Sequence, residues 1–283
     1  MKRLIWENKI ASIMLGLALV IVLLFLFSLV FILAIEGGRV LSLSFLLESP
    51  RRGMTEGGIY PALLGSFYLS LGSILVAFPL GVFTGIYLSE FAKDNWFTHL
   101  VRASVSTLSA IPSVVFGLFG MAFFVKAFGF GVSLLSGILT LSILVLPIMV
   151  KVTEEAIKAI PMDLKEAAYA LGAGKWKTIR LVLLPIAFPS IITGTILSLG
   201  RAAGETAPIM FTAATFYTRK LPSSLFDEVM ALPFMIYGLM TEGTKPEKQI
   251  PMAFGSVLVL LILVLGISGI GIFLRYRGRK RYI

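Results

Sequence analysis

From Ile10 to Ile35 the chain carries no charged residue, and Ser12 and Ser28 are its only polar side chains. A helix of that length rises about 39 Å, more than the roughly 30 Å hydrocarbon core of a bilayer. In lipid, backbone amides and carbonyls must be satisfied within the segment itself, so the run has to be a helix that spans a membrane. Lys2, Arg3 and Lys9 precede it as in a secretory leader, but a leader's apolar region covers about 7 to 15 residues before a small-residue cleavage site. We therefore expect an uncleaved first span at about 10–35.

The rest of the chain repeats the pattern. Of its 283 residues 57% are hydrophobic and 14% charged, a balance that a water-soluble core does not absorb. Further spans are predicted at about 61–88, 103–125, 132–150, 186–212 and 252–274, giving one membrane domain over 1–283. The segment 153–185 holds nine charged residues and cannot cross. Neither can 213–251, whose middle, around Pro233, reads as an amphipathic helix resting in the membrane interface.

Basic loops resist translocation, so they set orientation. One side collects Lys2, Arg3, Lys9, Lys93, Arg102, Lys151, Lys158, Lys165, Lys175, Lys177, Arg180, Arg275, Arg277, Arg279, Lys280 and Arg281. The other has Arg39, Arg51, Arg52, Lys126, Arg219, Lys220, Lys245 and Lys248. Both termini and the 153–185 loop are thus expected in the cytoplasm, and 213–251 outside. The net charge of +10 reads as topology and not as a nucleic-acid surface. With no cysteine and one histidine, His99 in a short polar loop, no metal site is expected.

Within the cytoplasmic loop, Pro161 suits a first helical turn, Asp163 the positive end of the helix dipole, and Gly172 a left-handed cap. Leu164, Ala167, Ala168 and Leu171 follow i, i+3, i+4, i+7 spacing and form one narrow face. The face either docks a partner or lies on the membrane surface. Glu166-Ala-Ala, then Gly172, Val182 and Leu184-Pro185, resembles the EAA loop of permease subunits of bacterial ABC importers, with Val where Ile is commoner. By that resemblance Leu164, Glu166, Ala167, Ala168, Leu171 and Gly172 belong to a coupling helix that seats in a separate ATPase. The implied fold is an all-α, six-span type I (MetI-like) permease in a prokaryotic cell membrane. The chain has no phosphate-binding loop of its own, because Gly174-Lys175 is followed by Trp176 and not by Ser or Thr.

The fifth span contains Arg201 and Glu205, four residues apart and able to pair. Charges at membrane depth cost about 2.5 to 3.5 kcal/mol on insertion scales and usually face a bundle interior or a water-filled path. Pro208 cannot donate to the Gly204 carbonyl, so the helix should kink or unwind there. Arg201, Gly204, Glu205, Thr206 and Pro208 are the candidate pathway residues; a packing ion pair is the alternative role for the two charges. The stretch Gly200 to Ala213 resembles phosphate-importer permeases, the PstA type more than the sister PstC type, as does Met230 to Met240. That resemblance implies inorganic phosphate as solute, a PstC-like second permease, two PstB-like ATPases holding ATP and Mg²⁺, and a PstS-like extracytoplasmic binding protein. This chain itself would hold no cofactor and catalyse nothing alone. Sulfate or molybdate import and a stand-alone channel or carrier are the competing readings. An intramembrane enzyme would need a nucleophile with its base or paired aspartates, and the sequence offers neither.

Overall fold

The computed structural model describes residues 2–218 and 220–279; of the basic residues used for orientation, Arg219, Lys280 and Arg281 lie outside them. The chain runs through α1 (Lys2–Gly38), α2 (Leu43–Leu47), α3 (Tyr60–Ile86), α4 (Trp96–Ala110), α5 (Ser113–Gly120) and α6 (Leu134–Lys158). It continues through α7 (Met162–Ala170), α8 (Lys175–Thr178), α9 (Leu184–Gly204), α10 (Ala207–Thr212), α11 (Leu232–Thr241) and α12 (Pro246–Arg279). Three π-turns, Tyr87–Phe91, Met121–Ala127 and Ile179–Leu183, prolong α3, prolong α5 and lead into α9.

Among the described residues, five helical stretches are long and apolar enough to cross a membrane: Lys9–Gly38, Tyr60–Phe91, Leu134–Lys158, Lys175–Gly204 and Pro246–Phe273. A sixth exists if the pair Trp96–Ala110 and Ser113–Ala127, bent by 105°, counts as one. That bend departs from the unbroken span expected over 103–125. Its cause is Pro112, whose ring forces the preceding residue out of the helical region: Ile111 sits at φ −71°, ψ 135° and ends α4.

The bundle is assembled by backbone approach at glycines. A Cβ on Gly81 would come within 2.4 Å of Met149, and one on Gly85 within 2.5 Å of Thr153, so α3 lies hard against α6. Gly194 sets α9 against Val152 of α6, and Gly271 sets α12 against Ile196 of α9. The Ser142 hydroxyl donates to the Ser73 carbonyl at 3.1 Å, a cross-helix bond in a buried setting. Helix α1 stands apart: none of its most apolar stretch is buried, and its close contact is Gly37 on the Phe254 carbonyl of α12.

The segment expected to rest on the membrane is instead part of the core. Val229, Met230, Ala231 and Leu232 are essentially inaccessible, and α11 packs with Phe45, Met54, Ile59, Ala62 and Met252. The Leu232 amide donates to Ser66 Oγ at 2.8 Å, and Gly65 passes directly under the Met230 carbonyl. The 213–251 segment thus folds back into the bundle between α3 and α12.

A turn at Ser223–Asp227 closes the start of this segment. Asp227 Oδ2 accepts from Ser223 N and Oγ at 2.8 Å and from Ser224 N at 2.9 Å, and these bonds hold its carboxyl below the ordinary 3.8. The turn presents the Leu225 and Asp227 carbonyls to the Leu135 and Leu134 amides at 2.8 Å, satisfying donors that the first turn of α6 leaves open. Because the folded value is the lower one, the contribution is complete above 3.8 and is lost only as pH falls through the depressed value. Amide-exchange protection of Ser223 and Ser224, corrected for intrinsic rates, should hold from about pH 7 down to about pH 4 and vanish in Asp227→Ala throughout. Protection already fading near about pH 5 would assign the turn to another group.

Candidate functional site

Two places in the fold carry chemistry, and α9 connects them, spanning about 30 Å. The first is α7. Pro161, at φ −54° and ψ 139°, is the residue before the helix, one position earlier than a first helical turn, and Asp163 lies in that turn. Gly172 has φ +78°, the left-handed conformation expected of it. The Gly172 amide donates to Tyr169 O at 2.9 Å and the Ala173 amide to Ala168 O at 3.0 Å, the paired bonds of a Schellman cap. Glycine is required there because an L side chain in that conformation costs about 1–2 kcal/mol.

The structure brings Leu164, Ala167, Ala168 and Leu171 together, with Leu181 and Val182, along a groove of about 400 Å³. Ala168 is buried, while Leu164 is 42% and Leu171 89% exposed. Leu171 thus leaves its side chain uncovered at the capped end of the helix. Glu166 is also exposed and lies outside the groove lining.

The second place is the break after α9. Glu205 leaves the helix at φ −74°, ψ 129°, and a new helix starts at Ala207 with Pro208 in its first turn. Arg201 Nε donates to Glu205 Oε1 at 3.2 Å; the side chains are 36% and 15% exposed. This is a single-point bond, and the two Nη groups make no bond among the described residues. Gly204 is open, with nothing within 4 Å of where a Cβ would stand. Thr206 is half-buried, and Pro208 is buried against Gly117 of α5. Arg201, Gly204 and Glu205 therefore share an open face, Pro208 supports it from behind, and Ala202 and Ala203 turn into the bundle.

A third cluster, at the same end as α7, was not singled out from the sequence. Glu154 of α6 is 9% exposed and accepts from Arg102 Nε at 3.0 Å and Lys158 Nζ at 2.6 Å. Arg102 Nη2 also donates to the Leu88 carbonyl at 2.9 Å. Lys165 of α7 pairs with Glu90, both side chains largely buried. The i, i+4 spacing of Glu154 and Lys158 was a signal for that pair alone. His99, expected in a short polar loop, lies instead in the first turn of α4, and its exposed side chain bonds Asp94 at 2.8 Å.

Residues 77–281 match the family model described as binding-protein-dependent transport system inner membrane component. The chain is 37% identical over 273 residues to a probable ABC transporter permease protein, YqgI, of Bacillus subtilis (strain 168), covering 92% of this chain and 93% of that one. It is 39% identical over 227 residues to the phosphate transport system permease protein PstA of Mycobacterium leprae, covering 80% and 73%. With PstA of Haemophilus influenzae it shares 31% over 268 residues, 94% of each chain. Among solved structures, a chain of a bacterial ABC transporter involved in import of the acidic polysaccharide alginate superposes with a TM-score of 0.68 at 16% identity, over 96% of both. A chain of the inward-facing MetNI methionine ABC transporter gives 0.61 at 21% identity, over 78% of this chain and 94% of that one. Both establish the fold, an all-helical bundle. The chain belongs to the family of binding-protein-dependent transport system inner membrane components.

Proposed function

We propose that this chain is the PstA-type permease subunit of an ATP-driven importer of inorganic phosphate. Relatives described as phosphate transport permeases align over four-fifths or more of it and support the solute assignment. The single observation that carries the ATP-driven part is the capped α7 with its exposed groove, a fitting seat for a separate ATPase subunit. ATP and Mg²⁺ then reside on two such subunits, a second permease completes the path, and an extracytoplasmic binding protein delivers the ion. In this arrangement both termini and α7 face the cytoplasm, and the 213–251 segment faces outward.

At the helix break, Arg201 offers its two Nη groups to phosphate oxygens in the forked geometry that guanidinium provides. Glu205, beside it, accepts from a protonated phosphate oxygen and repels a fully deprotonated oxyanion such as sulfate. Hydrogen bonds to charged groups contribute about 1.5–3 kcal/mol, so Arg201→Ala should lower phosphate uptake by about tenfold to about hundredfold in assembled complexes. Arg201→Lys keeps the charge without the fork and should fall between. Uptake equal to the parent in both variants would remove Arg201 from the path. Excess sulfate or molybdate should leave uptake unchanged; competition by either would overturn the solute assignment.

A further inference from the structure

Helix α7 is held to the rest of the chain by little apolar surface: Ala168 is its one buried residue. Its strong tie is electrostatic, the pair between Lys165 Nζ and Glu90 Oε1, whose side chains are 13% and 6% exposed and which lie 75 residues apart. A pair that far removed from water is directional, and loss of either partner leaves a buried charge without compensation.

Glu90 does not sit in an ordinary helix. It belongs to the π-turn Tyr87–Phe91, closed by the Ala92 amide on Tyr87 O at 2.8 Å. Wide turns of this kind occur preferentially where helices must yield or carry function. The same turn receives a second contact from the cytoplasmic loop, Lys175 Nζ lying 4.7 Å from the centre of the Phe91 ring. It passes one contact onward, from the Leu88 carbonyl to Arg102 of α4, which Glu154 holds from α6. Beyond α4 the chain turns at Ile111–Pro112 into α5. There Gly117 packs on the Ala207 carbonyl and on Pro208, immediately behind the break that presents Arg201 and Glu205.

We infer that the Lys165–Glu90 pair is a positioning device that carries displacement of α7 through the π-turn to α4 and α5, and so to the pathway break. The inference rests on the ATP-driven reading above, in which closure of the ATPases moves α7. Energetic coupling along such a chain of contacts is measured as a response at one end to an event at the other. The chain contains no cysteine, so a single reporter is clean. Ser106→Cys places it on the exposed side of α4, beside Arg102 and Glu154.

The test uses the whole complex, with its other subunits freed of cysteine and its ATPases impaired in hydrolysis. The rate of thiol labelling is compared with and without ATP. The parent should show a rate ratio between about twofold and about thirtyfold away from one, the range such couplings span. Glu90→Gln and Lys165→Met should bring the ratio close to one while the ATPases stay bound, and the exchanged double variant Glu90→Lys, Lys165→Glu should restore it. A parent ratio of one, single variants that keep the parent ratio, single variants that lose the ATPases altogether, or no restoration by the exchange would each overturn the relay. Phosphate uptake in a hydrolysis-competent complex is read separately. Its absence in the parent, with the labelling response intact, would sink the solute assignment and leave the relay standing.

Discussion

Replacing Ala167 with glutamate is expected to leave the chain folded and strip the ATPase from it. Ala167 is exposed and lines the groove between Leu164 and Leu171, so a longer side chain displaces nothing in the chain itself. Once a partner covers the groove, the carboxylate has to be buried against a surface shaped for a methyl group, and a charge so placed costs about 2–5 kcal/mol. Lys177 lines the same groove and offsets part of that, which puts the expectation near 3 kcal/mol, or about a hundredfold weaker ATPase binding. Unfolding of the purified variant should match the parent, with Ala167→Ser binding the ATPase normally. Full ATPase recovery with Ala167→Glu would mean that this face is not the seat.

Gly65→Ala should be strongly destabilising. Its Cβ would stand 1.9 Å from the Met230 carbonyl oxygen, a backbone atom in a stretch that is inaccessible from Val229 to Leu232. No rotamer relieves that clash, so either α3 or the 229–232 segment must move, straining the Leu232–Ser66 hydrogen bond. Overpacking of this kind costs about 1–3 kcal/mol, and a main-chain clash belongs at the top of that range. The contrasting change is Gly204→Ala, where nothing lies within 4 Å and thermal stability should stay within about 0.5 kcal/mol of the parent. Melting the two variants side by side in detergent checks both expectations. Equal stability would contradict the close passage of α3 beneath Met230.

Gly81 with Gly85, and Gly200 with Gly204, have the same spacing, yet the first pair lies hard against Met149 and Thr153 of α6, while Gly200 meets Val264 of α12 at an ordinary 3.4 Å and Gly204 meets nothing within 4 Å. Spacing shows that two backbones can approach; whether a neighbour arrives depends on the rest of the bundle. The spans themselves were legible because bilayer thickness acts on each segment separately, whatever the tertiary arrangement. The α7 cap was legible for the same reason, since Gly172 and the alanine face are set by local sterics. The bend at Pro112 was also readable, but the hydropathy of 103–125 outweighed a local rule about the residue before proline. Burial of α11 was not readable, because an amphipathic helix covers a protein surface as well as it covers lipid. Nor were Lys165–Glu90 or Arg102–Glu154, 75 and 52 residues apart, since one sequence records nothing about which distant charges meet.

The sparse tethering of α1 bears on how the protein comes apart. A helix in lipid keeps its own hydrogen bonds whether or not it has neighbours, and α1 meets the rest of the chain mainly through α12, where Gly37 packs on Phe254 and Leu258. Denaturation of this subunit would therefore proceed in two unequal parts: α3, α6, α9 and α12 lose their mutual packing together, while α1 stays helical and is released as its seam with α12 opens. The first helix follows the transition of the fold it begins mainly through one neighbour.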